Sequence, residues 1–222
     1  MNSGLPDLIA SVATDFGTLL GVAVSATATN AIQVLLSSYL QRRAEASRSI
    51  LLEELSLGNR LSSDVDKDEF CSLFFSYLTA TRHGAARLNL RLMAQMIAGT
   101  LQPGFALRAD ELAHYSGILS QLTRDEIQLV ATMWRLQESF EDRKDMSDQE
   151  KLVAIHNEAI ESLVPSVFPT KDEYTSVATS ATRFGLILVR SVWGGSRFDL
   201  APVVAKLIRL SSFESAIAKE SV

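Results

Sequence analysis

The chain is poor in cysteine, in positive charge and in the patterns that announce catalysis. Its 222 residues include one cysteine, Cys71, so no internal disulfide can form, which fits a cytoplasmic compartment. Cys71 sits in the apolar helical run DEFCSLFFSYL and reads as a small core residue. Lys and Arg number 21 against 26 Asp and Glu, a net charge of −5 with a pI near 5.3. That balance removes the global positive field that favours nucleic acid, so any such role must rest on a local patch. No G-x-G-x-x-G, phosphate-binding P-loop or glycine-flanked nucleophilic serine occurs. The three histidines, His83, His114 and His156, are far apart in sequence. Glu111 and His114 have the Glu-x-x-His spacing of di-iron helical bundles, but such sites need a second motif and two further carboxylates. A lone pair reads as a helix-surface pair. We therefore expect no catalytic residue, no metal site, no cofactor and no enzymatic activity. The opening MNSGLPDLIA lacks a basic stretch and carries Asp7, so it does not read as a secretory signal.

What is present is apolar residue at helical spacing. Hydrophobic residues make up 47% of the chain, enough for a real core in one or two domains. No repeat of fixed period and no low-complexity tract occurs. Leu51, Leu52 and Leu55 share one side of a helix that Gly58-Asn59 closes. Phe70, Leu73, Phe74, Tyr77 and Leu78 form an apolar stripe, interrupted at Gly84 and resumed by Leu88, Leu92, Met93, Met96 and Ile97 up to Gly99. The Pro-Gly turn in LQPGFALR is the best boundary, dividing a helical region, 1–100, from a second domain, 101–222.

The second half is punctuated by capping boxes, in which a Ser or Thr and a Glu three residues later satisfy each other's helix-start amides. Thr123 with Glu126, Ser147 with Glu150 and Thr170 with Glu173 predict helices at 124–139, 148–163 and 171–184. The period then changes: GLILVRSVWGGSRFDLAP reads as strand, turn, strand, with Gly194-Gly195 as the turn. VVAKLIRLSSFESAIAK is helical again. Three helices, a hairpin and a closing helix resemble a winged-helix domain over about 110–215. The junction Arg183-Phe184-Gly185-Leu186-Ile187 and the strand exit Asp199-Leu200-Ala201-Pro202 carry the likeness, with Ala201 where the family usually has Thr. The fold class expected is mainly α, with a helical N-terminal region and a winged-helix-like domain bearing one β-hairpin.

In that family the third helix enters the major groove and the wing touches the backbone. The resemblance thus implies contact to nucleic acid or a partner through Lys171, Thr175, Ser176, Thr179, Arg183, Arg190 and Arg197. The outward set on 171–184 is polar but scarcely basic, whereas base and phosphate contacts lean on Arg, Lys, Asn and Gln. A protein-binding winged helix is the preferred reading and DNA binding the runner-up. A separate basic face is formed by His83, Arg87 and Arg91 at i, i+4, i+8, for which pairing with the chain's own carboxylates is the preferred reading.

Phe16–Gln41 contains no charged residue and is about long enough to span a bilayer. About nine large apolar residues contribute roughly −3 to −5 kcal/mol to insertion, and Asn30, Gln33 and several hydroxyls offset much of it. Gly17 and Gly21, extended by Ser25 and Ala28, form a small-residue face suited to close helix packing. We therefore expect a homo-oligomer assembled through these helices, with membrane contact through 16–41 as the alternative. The chain also resembles a bacterial abortive-infection family of the Abi-alpha type, on YSGILSQLTRDEIQLV at 115–130 and RFGLI at 183–187, departing from its pattern at Tyr115. That likeness implies a membrane-associated phage-defence factor. The preferred reading remains a cytoplasmic, non-enzymatic interaction or regulatory protein.

Overall fold

The structure, a computed structural model, describes residues 31–57, 67–101, 109–193 and 195–220. The protein is mainly α-helical with one antiparallel hairpin, in agreement with the sequence pattern. It divides into two compact units, Met1–Gln121 and Leu122–Val222. The break lies past the expected boundary at residue 100, because the helix Ala109–Gln121 packs within the first unit.

The first unit contains α1 (Ala31–Leu57), α2 (Lys67–Arg82), α3 (Arg87–Thr100) and α4 (Ala109–Gln121). Helix α3 packs on α1, α2 and α4, and α2 also packs on α4. The stripe of Phe70, Leu73, Phe74, Tyr77 and Leu78 is buried, as are Leu88, Leu92, Met93, Met96 and Ile97. Each such side chain contributes about 1.5–3 kcal/mol by leaving water. Gly84 ends α2 with φ +89°, a left-handed geometry that glycine adopts without a Cβ clash. Gly99, by contrast, lies inside α3, which runs on to Thr100. Cys71 is exposed, not buried, because it falls beside the stripe and points away from it. Polar side chains tie the unit together. Arg43 of α1 donates to the carbonyls of Thr81, at 2.6 Å, and Ala85, where α2 ends. The buried Tyr77 hydroxyl donates to the Ser47 carbonyl at 2.7 Å, and buried Asn89 donates to the Leu119 carbonyl at 2.7 Å.

The second unit contains α5 (Arg124–Glu141), α6 (Asp148–Leu163), α7 (Lys171–Ala181), a 3-10 turn (Thr182–Phe184), β1 (Ile187–Val192), β2 (Gly195–Leu200), α8 (Pro202–Leu210) and α9 (Phe213–Lys219). All three expected caps are in place. Those at Thr123 and Ser147 are reciprocal boxes, while Thr170 accepts from the Glu173 amide without a return bond. The Ser147 amide and hydroxyl donate to Glu150 and hold its carboxyl below the usual range. Helix α7 ends three residues short of the expected 184, tightening into the 3-10 turn before Gly185, whose φ of +66° redirects the chain into β1. Helix α5 packs on α6, α7 and α9, and β2 packs on α6 and α5. In the hairpin Ile187 pairs with Leu200, Val189 with Phe198, Arg190 with Arg197 and Val192 with Gly195.

Candidate functional site

The residues expected to contact a partner converge on α7 and the hairpin. Tyr174, Ala178 and Ala181 of α7 are buried and Val177 is half-buried, which sets the helix's rotation. Lys171, Asp172, Thr175, Ser176 and Thr179 are consequently exposed on the other side. Lys171 is the face's one cation besides Arg183, and Asp172 and Glu173 adjoin it in the first turn.

Arg183 is engaged within the unit. Its guanidinium lies 3.1 and 3.2 Å from the two carboxylate oxygens of Glu126, which is buried at the start of α5. It also bonds the Ser180 hydroxyl and lies 4.3 Å above the Phe184 ring. Glu126 thus serves twice: it accepts the Thr123 amide at 2.8 Å, closing the α5 cap, and anchors the end of the α7 segment. Half of the Arg183 side chain remains exposed, but its charge is largely matched.

Across the hairpin, Arg190 pairs with Asp199 at 3.2 Å. Arg197 is half-buried and donates to the Ser196 carbonyl, and its Nε has no partner. The exposed hydrophobic side chains here are Val189, at 56%, and Trp193, at 95%, on the hairpin tip. The strands close one residue earlier than the expected Gly194-Gly195 turn: Val192 pairs with Gly195, which belongs to β2, so Trp193 falls in the turn.

Beneath the hairpin, edge-on and tilted ring contacts hold β2 to the helices. Phe198 lies 5.9 Å from His156 of α6 and 6.3 Å from Tyr174, and Phe168 lies 6.0 Å from Tyr174. The Phe198 amide donates to His156 Nδ1 at 3.4 Å. Burial, and then the Arg197 charge, push the His156 pKa down, so the ring is held neutral as an acceptor. Burial pushes the Tyr174 hydroxyl up to about 12. The role of His156 and the hold of Glu126 on Arg183 were not readable, because each joins positions distant in sequence. A groove of about 570 Å³ also opens between α5, α6 and the hairpin, with Glu141, Asp148 and Asp199 facing Lys151 and Arg190. Among the described residues, no group of three His, Cys, Asp or Glu is placed to hold a metal ion.

The other expected sites fare differently. His83, Arg87 and Arg91 do not form one basic face. Gly84 breaks the helix between the first two, and Arg91 is 4% exposed, paired with Glu54 at 2.7 Å and Glu53 at 3.0 Å. His83 and Arg87 are exposed. Gly17, Gly21, Ser25 and Ala28 lie outside the described residues, as does most of 16–41. Among the described residues, no helix is long and apolar enough to cross a membrane. No family model, curated protein or solved structure matches the chain.

Proposed function

We propose that the chain is a non-enzymatic interaction or regulatory protein whose C-terminal unit, of winged-helix layout, binds protein. The observation that carries this reading is the composition of the α7 and hairpin surface. It offers an indole at the tip, Val189 behind it and a row of hydroxyls, while Arg183 and Arg190 are paired with carboxylates. A DNA reader needs unpaired cations at the phosphates. Residues 122–222 carry 12 Lys and Arg against 15 Asp and Glu, so the unit's own field opposes duplex binding. Exposed aromatic residues, in contrast, anchor protein interfaces.

Gel retardation with random and A·T-rich duplexes at low salt tests this reading. No shift is expected. A salt-sensitive shift, weakened by Lys171→Ala and Arg197→Ala, overturns it in favour of a DNA-binding regulator. We further propose self-association through the N-terminal small-residue face. Light scattering of the full chain is then expected to give a mass above 24.3 kDa, reduced by Gly21→Leu. A monomer at high concentration removes that part of the proposal.

A further inference from the structure

The N-terminal unit has a corner rich in positive charge. Neither Phe16–Ala44 nor Phe70–Ala109 contains an Asp or Glu, so the first half of α1, nearly all of α2 and the whole of α3 are free of carboxylates. These segments meet where Arg43 of α1 donates to the carbonyls of Thr81 and Ala85, which fixes α1 against the turn between α2 and α3. Arg82 and His83 follow Thr81 and are thereby brought beside Arg42 and Arg43. Arg42, Arg82 and His83 are exposed. Arg42 donates to the Ser38 carbonyl at 3.3 Å and Arg43 to its two carbonyls, and a carbonyl accepts a bond without cancelling the charge. Glu45, the carboxylate nearest in sequence, accepts from Gln41 at 3.1 Å. Helix α3 starts at the same place with no side-chain cap and no acidic residue in its first turn, so its amide end adds to the positive field.

The corner is also where the longest uncharged run of the chain ends. Phe16–Gln41 carries no charge, and Arg42 and Arg43 are the first charges after it. The last residues of that run lie on α1, where Tyr39 is 51% and Leu40 39% exposed. One helix thus passes from an exposed aromatic and an exposed aliphatic side chain to two cations within a turn or so. A nucleic acid or an acidic protein matches the cations alone. The boundary of a bilayer matches both, since tyrosine settles at the headgroup level and basic clusters beside an apolar segment attract anionic lipids.

We propose that this corner docks on an anionic phospholipid surface. Arg42, Arg43 and Arg82, with His83 beside them, meet the lipid headgroups, while Tyr39 and Leu40 enter the interface. Such binding combines buried apolar area with attraction to anionic lipid and needs no spanning helix. It concerns the N-terminal unit and does not depend on what the C-terminal unit binds.

The test floats the full chain with vesicles of phosphatidylcholine alone and with vesicles in which about 30% of the lipid is phosphatidylserine, at about 0.1 M salt. The chain is expected to rise with the anionic vesicles, to rise only weakly with the neutral ones, and to be released as salt approaches about 0.5 M. A basic residue near such a surface is worth about 5-fold in affinity, so Arg82→Gln should weaken binding about 5-fold and the double variant Arg42→Gln, Arg82→Gln about 25-fold. Both side chains are exposed, so circular dichroism of these variants is expected to match the wild type. Arg209→Gln removes the same charge from an exposed position on α8 and should leave vesicle binding unchanged. Equal binding to both kinds of vesicle, binding to neither, or equal weakening by Arg82→Gln and Arg209→Gln overturns the proposal. Salt-sensitive retardation of duplex DNA that Arg82→Gln weakens, with no flotation, overturns it in favour of nucleic acid at this corner.

Discussion

Each unit buries one tyrosine completely, and the two hydroxyls have opposite fates. Tyr77, in the N-terminal unit, donates to the Ser47 carbonyl at 2.7 Å. Tyr174, in the C-terminal unit, lies among His156, Phe168 and Phe198, and its hydroxyl has no partner. The contrast extends to the surroundings. The N-terminal unit is tied by polar bonds between residues far apart in sequence, such as Arg43 with Thr81 and Arg91 with Glu53 and Glu54. The C-terminal unit starts its helices with local caps and holds its hairpin mainly by ring packing. The N-terminal unit should therefore be sensitive to the loss of single polar groups in its interior, and the C-terminal unit much less so.

The largest effect is expected at Arg91. Arg91→Met leaves Glu54, 6% exposed, without the guanidinium at 2.7 Å. Removing one member of a buried pair costs about 3–5 kcal/mol. Denaturant unfolding is expected to show this as an earlier transition, and adding Glu54→Leu should recover much of the loss, since the uncompensated charge goes with it. An unfolding midpoint within error of the wild type would deny the buried pair its role. Tyr77→Phe comes next. It removes the hydroxyl's bond to the Ser47 carbonyl, which still accepts within the ladder of α1, and should cost about 0.5–1.5 kcal/mol by the same measurement.

The caps allow a comparison within the C-terminal unit. Thr123→Ala removes one half of a reciprocal box whose Glu126 also holds Arg183. Thr170→Ala removes a cap with no return bond. The first should cost about 1 kcal/mol or somewhat more, and the second about 0.5–1 kcal/mol. Thermal unfolding of the two variants side by side checks the order.

These caps also mark what was legible in the sequence. Thr123, Ser147 and Thr170 located three helix starts because a capping box is a short-range bond, written within four residues. The apolar stripes of α2 and α3 were legible for the same reason: periodicity is local. The hairpin was legible from the β-branched run and the Gly194-Gly195 signal, although the turn was expected one residue too late: Gly195 pairs with Val192 inside the ladder. The partners of Arg91, Arg183 and His156 were not legible, since each lies 37 or more residues away and only the tertiary fold brings them together. In the run His83, Arg87, Arg91 the expected pairing with the chain's own carboxylates holds for Arg91, with Glu53 and Glu54, while the shared face fails because the helix ends at Gly84. Cys71 misled because an apolar neighbourhood in sequence does not say which side of the helix a residue takes.

A smaller effect is linked to pH. The His156 pKa is lowered in the fold, by burial first and by Arg197 second. Its stabilising contribution is therefore fully present above the ordinary value of about 6.5, where the unfolded chain is also neutral. As pH falls through about 6.5 toward the lowered value, the unfolded state binds the proton first and stability declines, then levels off. Protonated Nδ1 no longer accepts the Phe198 amide, so the loss should fall on the hairpin. Thermal unfolding between about pH 8 and pH 5 checks this, with His156→Gln expected to flatten the dependence near 6.5.

The smallest expected change separates the two tyrosines most sharply. Tyr174→Phe removes a hydroxyl that was desolvated on folding and gained no partner in return. Its ring contacts with His156, Phe168 and Phe198 are kept, because Phe fills the same ring position. Removing a buried donor that is unsatisfied relieves its desolvation cost, so the substitution should be neutral or stabilise by up to about 1 kcal/mol. The same one-atom deletion at Tyr77 should do the reverse. Measured together, the pair holds chemistry and burial fixed and varies only the hydrogen bond. A loss of 1 kcal/mol or so at both sites would mean that the Tyr174 hydroxyl has found a partner, most simply a buried water within the ring cluster. Opposite signs would mean that the C-terminal unit holds its hairpin through ring packing and that its interior tyrosine hydroxyl contributes nothing to that hold.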